Sequence, residues 1–260
     1  MLNRRTLFAG IAAGAALAAT RPVFAATPPN VRPRVRNVVL VHGAYADGSS
    51  WSEVIPLLQR AGLNVTAVQN PLMSLEDDCN YTRRALALQD GPTVLVAHSY
   101  GGEVITETGV DPKVSALVYC AACGPDANED YTALGKKFPA PPASAGLVHQ
   151  NGFLRLSEEA FLRDFAGDLP VAKARALYAV QAPVSDTLFT AKVTQAAWRE
   201  KPSFYAVSAN DRTINPDLQR FMAKRMKADT IEIPASHLGI ISHPHEIAGL
   251  ILKAAGAGAA

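Results

Sequence analysis

The sequence predicts an α/β fold, a doubly wound and mostly parallel sheet of about six strands. Three observations predict it. Short continuous apolar runs, typical of strands covered on both faces, alternate with longer stretches of helical spacing. Turn and capping residues punctuate that alternation. A chain of 260 residues that is 48% hydrophobic and 18% charged is long enough to bury one full core.

The first run, Val38-Val39-Leu40-Val41, ends in His42-Gly43-Ala44. A helix is expected over residues 50–61, with Ser50 and Glu53 spaced as a capping box and Pro56 awkward in its early turns. A strand at 63–68 precedes a helix at 74–88, which Ser74 and Asp77 cap and whose core face carries Leu75, Cys79, Thr82 and Leu86. Strand 93–97 runs through a Gly-rich turn into a helix over 101–108, and strand 115–120 follows. Residues 124–201 break this rhythm with a Pro/Ala-rich loop at 138–142 and helical segments near 157–165 and 171–181, the pattern of an inserted helical lid. The alternation resumes with strand 204–208, a helix over 216–227 capped by Asn215 with Pro216 at its first position, strand 230–233 and a helix over 244–253.

The N-terminus stands apart. Asn3-Arg4-Arg5-Thr6-Leu7-Phe8, an Ala/Gly-rich apolar run to Ala19 and the small-residue site Val23-Phe24-Ala25 read as a twin-arginine export signal over residues 1–25. The run is too short for a spanning helix, which needs about 20 apolar residues. An uncleaved anchor and a plain secretory signal are the alternatives. The expected organisation is therefore the signal followed by one domain at 34–260, exported to the periplasm or secreted. Removing Arg4, Arg5 and Arg21 with no acidic residue takes the formal charge from +2 to −1. That balance argues against nucleic acid as a partner and against stable membrane association of the mature chain.

Cys79, Cys120 and Cys123 are an odd number for an exported chain, so one at least is free or pairs between chains. Cys120-Ala121-Ala122-Cys123 has the C-x-x-C spacing, but its first cysteine ends an apolar strand instead of opening a helix, which fits buried small residues better than a redox pair. No metal-ligand spacing is visible, and nothing calls for a cofactor.

Chemistry concentrates at the ends of the strands, where a parallel sheet places its working residues. In Val94-Leu95-Val96-Ala97-His98-Ser99-Tyr100-Gly101-Gly102 a strand turns sharply into a helix with one serine at the corner. Such a turn exposes the hydroxyl and leaves the next backbone N–H, that of Tyr100, free for an oxyanion. Ala97 stands where the G-x-S-x-G pattern has its first glycine. Asp211 and His237 follow the last two strands, so the chain order is nucleophile, acid, base. His237 would take the Ser99 proton, and Asp211 would hold the imidazole's tautomer. A second oxyanion donor is expected at Ala44, with His42 orienting that loop and Gly43 and Gly101 supporting the approach. Trp51 and Leu238 are candidates to line the substrate pocket. Asp47 and Ser49 line or brace the first loop. The apolar side chains of the insertion, among them Phe161, Phe165 and Phe189, contact an apolar acid moiety or form the insertion's own core.

Together, Val41-His42-Gly43-Ala44, Gly48 and Trp51, Ala97 to Gly102, Asn210-Asp211-Arg212 and Ser236-His237 resemble the α/β-hydrolase superfamily over residues 38–253. The chain is similar to the branch of small bacterial esterase-like hydrolases, plant methyl esterases and hydroxynitrile lyases. The resemblance implies an α/β-hydrolase core and a serine hydrolase that cleaves a small carboxylic ester through an acyl-enzyme. Lyases of that branch carry a threonine after the oxyanion-loop histidine and a lysine after the catalytic histidine; Gly43 and Leu238 stand there instead and favour ester hydrolysis. A receptor-like binding protein on a hydrolase scaffold, and a lyase or cofactor-free activity on the same triad, are the alternative readings. The ester's identity and the oligomeric state stay open.

Overall fold

The computed structural model describes residues 34–256; the export segment expected at 1–25 lies outside them. Six parallel strands form the main sheet: β1 (Asn37–Val41), β2 (Asn64–Ala67), β3 (Thr93–His98), β4 (Val114–Cys120), and, after an insertion, β8 (Ser203–Ser208) and β9 (Asp229–Ile233). Their order is β2-β1-β3-β4-β8-β9. The apolar runs lie innermost, with β1 and β3 buried along their whole length. Helices α1 (Ile55–Arg60), α2 (Leu75–Ala87), α3 (Gly101–Thr108), α7 (Pro216–Arg225), α8 (Gly239–Ser242) and α9 (Pro244–Ala254) connect and cover the strands.

Register decides where the loops emerge. Val41 pairs with Ala97, His98 with Cys120, Cys120 with Ala206 and Ser208 with Ile233. Aligned C-terminal ends bring the loops after β1, β3, β8 and β9 to one edge of the sheet.

Local rules account for most helix starts. Ser74 Oγ accepts from the Asp77 N–H at the start of α2, and Asn215 does the same for Asp217 ahead of Pro216. The helix expected over 50–61 starts later. Asp47, not Ser50, caps a short 3₁₀ turn at Gly48–Trp51, and α1 begins only at Ile55. Pro56 lacks an N–H and fits a helix's first turn, so the helix forms around it there.

The insertion also differs in part. Its helices α4 (Tyr131–Gly135), α5 (Glu158–Ala160) and α6 (Val171–Ala179) are joined by an antiparallel sheet of β5 (Leu147–Gln150), β6 (Phe153–Leu156) and β7 (Val184–Ser185). Asn151 and Gly152, both at positive φ, turn β5 into β6. Among the described residues no helix is long and apolar enough to cross a membrane. No group of His, Cys, Asp or Glu there has the arrangement of a metal site. Cys79, Cys120 and Cys123 are buried and free.

Candidate active site

Ser99 sits at the corner between β3 and α3 with φ of 54°. A non-glycine residue in the left-handed region costs roughly 1–3 kcal/mol and persists only when its surroundings over-determine it. They do so here. Ser99 N–H donates to Cys120 O, and Ser99 O accepts from Gly102 N (3.0 Å) and Cys123 N (2.9 Å). A Cβ on Gly102 would lie 1.9 Å from Cys123 O, so only glycine lets this turn pack against the end of β4. Ala97, by contrast, is a regular buried residue of β3, one step before the turn, where its methyl is ordinary strand packing.

The turn presents Ser99 Oγ to His237, whose Nε2 lies 2.8 Å away. His237 Nδ1 is 2.7 Å from Asp211 Oδ2. The carboxylate also accepts from Thr213 N (2.7 Å), Ile214 N (3.0 Å) and Gln219 Nε2 (2.7 Å). With four donors aimed at it, Asp211 acts as a pure acceptor, so Nδ1 carries the imidazole proton and Nε2 is left to accept from the serine. All three side chains come from strand-end loops, and those of His237 and Asp211 are fully buried.

The first loop meets the serine turn at close quarters. A Cβ on Gly43 would lie 2.6 Å from Ser99 Cβ, and one on Gly101 would lie 2.7 Å from His42 O. Both glycines therefore allow the loop after β1 to lie against the start of α3. His42 Nδ1 donates to Gly43 O (2.8 Å), and its Nε2 accepts from Asn70 N (2.9 Å). Burial lowers its pKa, in keeping with a neutral ring that braces the loop. The amides of Ala44 and Tyr100 enter no backbone or side-chain hydrogen bond among the described residues. They are the donors available to a developing oxyanion.

A cavity of about 210 Å³ opens beside Ser99. Ala44, Tyr45, Tyr100 and Cys123 form its floor, Thr213 and Ile214 one wall, and Tyr131, Ala143, Leu147, Leu156 and Phe189 of the insertion its roof. No lining residue is charged. Of the insertion's apolar side chains named from the sequence, Phe189 reaches this cavity, whereas Phe161 and Phe165 are buried in the core. Trp51 does not reach it: the indole is fully buried, because the 3₁₀ turn at Gly48–Trp51 directs it into the core. Leu238 lines a separate narrow pocket with Tyr45, Asp47, Ser49 and Phe165.

Sequence reasoning missed several supports. Tyr100 Oη donates to Asp78 Oδ2 (2.9 Å), and Leu72 N donates to its Oδ1 (2.9 Å). Burial raises the Asp78 pKa to about 6 even so. His98 Nε2 donates to the backbone carbonyl of His237 (2.9 Å), and burial together with the neighbouring His237 lowers its pKa well below the usual range. One α-helical turn after Ser99, burial pushes the Glu103 carboxyl up to about 8. None of these partners is signalled by spacing, because each meets its group across the fold.

A family model described as the alpha/beta hydrolase family matches residues 38–250. The pyrethroid hydrolase of Sphingobium wenxiniae is 27% identical over 84% of this chain and 86% of its own length. Putative methylesterase 19 of Arabidopsis thaliana is 27% identical over 85% of this chain and 97% of its own. Among solved structures, a pyrethroid hydrolase from Sphingobium faniae superimposes with a TM-score of 0.71 at 22% identity, over 86% of this chain and 98% of that one, a likeness of fold.

Proposed function

The chain belongs to the alpha/beta hydrolase family, and from that premise we propose that it hydrolyses small, uncharged carboxylic esters with Ser99, His237 and Asp211 as its catalytic triad. One observation carries the reading: the unbroken chain from Ser99 Oγ through His237 to Asp211 opens on an uncharged cavity. Relatives named as a pyrethroid hydrolase and a methylesterase support the reaction class.

In this mechanism Ser99 Oγ attacks the ester carbonyl carbon while its proton passes to His237 Nε2. The carbonyl oxygen becomes an oxyanion held by the Ala44 and Tyr100 amides, each such donor being worth about 3 kcal/mol. Collapse breaks the bond to the alkoxy oxygen, which leaves with the proton from His237. Water, deprotonated by the same nitrogen, then attacks the acyl-enzyme, and as the bond to Ser99 Oγ breaks His237 returns that proton to the serine and the acid leaves. Asp211 holds the tautomer in both halves. Residues 1–25 are read as an export signal, and the N-terminal sequence of the mature protein tests that assignment.

A fluorophosphonate reagent tests the triad. The protein is expected to be labelled once, and Ser99→Ala is expected to resist labelling and to lose about 10⁶-fold in kcat. Labelling that persists in Ser99→Ala would falsify the assignment.

A further inference from the structure

The insertion meets the acid loop where Ala143 N donates to Arg212 O (3.0 Å) and Pro139 O accepts from Asn215 Nδ2 (3.0 Å), and it reaches both the acid and base loops around one five-residue turn. Phe161–Phe165 forms a π-helical turn, closed by Ala166 N donating to Phe161 O at 2.9 Å. Such turns are rare and occur often at functional sites. Three side chains in and just after this turn lie at the acid and base loops. The ring of Phe165 lies 5.0 Å from that of His237. The buried carboxylate of Asp164 accepts from Arg212 Nε (2.7 Å), next to Asp211. Three residues past the turn, Asp168 receives both donors of Ser236, the backbone N–H (2.9 Å) and the hydroxyl (2.5 Å), and that of Ser242 (2.8 Å).

Ser236 immediately precedes His237, so its backbone sets where the imidazole begins. Among the described residues no other takes both of its donors, though Phe165 O also accepts from the hydroxyl at 3.4 Å. Burial alone would push the Asp168 carboxyl up, yet the bonds from Ser236 and Ser242 more than offset it and hold it below the usual carboxylate range. Among the described residues no cation contacts it, so its hold is one of hydrogen-bond direction more than of charge.

We propose that Asp168 is a positioning residue: by fixing Ser236 it sets the reach of His237 toward Ser99, which makes the insertion a brace for the general base as well as a roof over the cavity. The inference rests on the triad reading above. It assigns Asp168 no contact with substrate. It also separates two properties of the side chain. An asparagine has the same shape, can accept from Ser236 N and can donate to the Ser236 hydroxyl, so it keeps the brace while losing the charge. An alanine keeps neither.

The test measures the second-order rate of Ser99 labelling by diisopropyl fluorophosphate, a small reagent that needs the base but little of the cavity, together with kcat, KM and Tm on an aryl ester. Asp168→Ala is expected to lose about 10- to 100-fold in labelling rate and in kcat, with KM unchanged, as a misplaced catalytic group does. Asp168→Asn is expected to stay within about 3-fold of wild type. If Asp168→Ala fails to fold, Ser236→Ala, which deletes one of the bonds, carries the same question and is expected to lose about 3- to 10-fold in labelling. Wild-type labelling in Asp168→Ala, or in Ser236→Ala where the first does not fold, overturns the brace, as does an equal loss in Asp168→Ala and Asp168→Asn. Absence of Ser99-dependent labelling in the wild type overturns the triad reading and the brace with it, and is distinguishable because it appears before any substitution at position 168.

Discussion

The strand-end loops that carry Ser99, Asp211 and His237 and the insertion that roofs their cavity are held in place by different means. The loops are fixed by backbone. Ser99 is locked at positive φ by hydrogen bonds to β4, and the glycines at 43, 101 and 102 stand where any Cβ would collide with backbone or with the serine itself. The insertion is fixed mainly by side chains, through apolar contacts of Phe161 and Leu156 and polar ties such as Asp164 to Arg212 and Asp168 to Ser236, beside the backbone bonds from Ala143 N to Arg212 O and from Ser185 N to Leu72 O. Backbone-locked positions tolerate almost no variation, while side-chain contacts can be exchanged one at a time. Chemistry on the first region and selectivity on the second would therefore respond to mutation on different scales.

The largest effect is expected at the acid. Asp211→Asn keeps the shape but offers an amide N–H where His237 Nδ1 now donates, so the imidazole's proton is driven to Nε2, the nitrogen that must accept from Ser99. A drop of about 10⁴ in kcat is expected from that tautomer change. Steady-state kinetics decide it, and a drop of less than about tenfold would mean that the loops do not govern the chemistry.

Gly102→Ala breaks the same region through its backbone. The new Cβ would lie 1.9 Å from Cys123 O, and neither a helix start nor a strand end can give way cheaply. A loss of about 3 kcal/mol or more in unfolding free energy is expected. Urea denaturation measures it, and an unchanged midpoint would show that the turn is looser than its contacts imply.

A smaller effect belongs to Glu103, under the same turn. Its carboxyl is pushed from 4.5 up to about 8 by burial, so the fold favours the protonated acid. The native state then holds a proton that the unfolded chain gives up. Stability is fully present below the unfolded value and is lost as pH rises through about 8, at a slope of up to about 1.4 kcal/mol per pH unit. Glu103→Gln is isosteric with the neutral acid and is expected to flatten that slope. Melts at a series of pH values compare the two proteins; parallel curves would place the titration elsewhere.

The same contrast explains what could be read from sequence. The inner strands announce themselves as apolar runs, and Ser99, Asp211 and His237 each lie within four residues after a strand, so local rules carry the sheet and the order of the site residues. The late start of α1 has no capping signal to find: Asp47 caps only the 3₁₀ turn, and Val54, ahead of α1, offers no side-chain cap. The hairpin from β5 to β6 was missed although Asn151-Gly152 is a type I′ turn signal, and both residues have positive φ. The π-helical turn and the partners of Asp164 and Asp168 had no such signal. Their donors lie 48 and 68 residues away in sequence and meet them only once the insertion has packed.

The smallest expected effect, and the sharpest probe of the insertion as a selectivity element, is Phe189→Ala. The Phe189 ring lines the cavity opposite the serine turn and packs against Tyr100 (centroids 6.0 Å apart) and Tyr45 (6.2 Å). Removing it enlarges the cavity without touching the chain from Ser99 to Asp211. Because uniform binding changes KM and leaves kcat alone, the variant is expected to raise KM for a small aryl ester about 10-fold, with kcat held within about 3-fold. An ester with a bulkier acyl group is expected to lose less, since the vacated volume admits it. Paired kinetics on the two esters read the effect as a ratio, independent of enzyme concentration. A fall in kcat equal for both esters would instead mean that Phe189 holds the serine turn through Tyr100, and the insertion would then belong to the catalytic frame at this point as well.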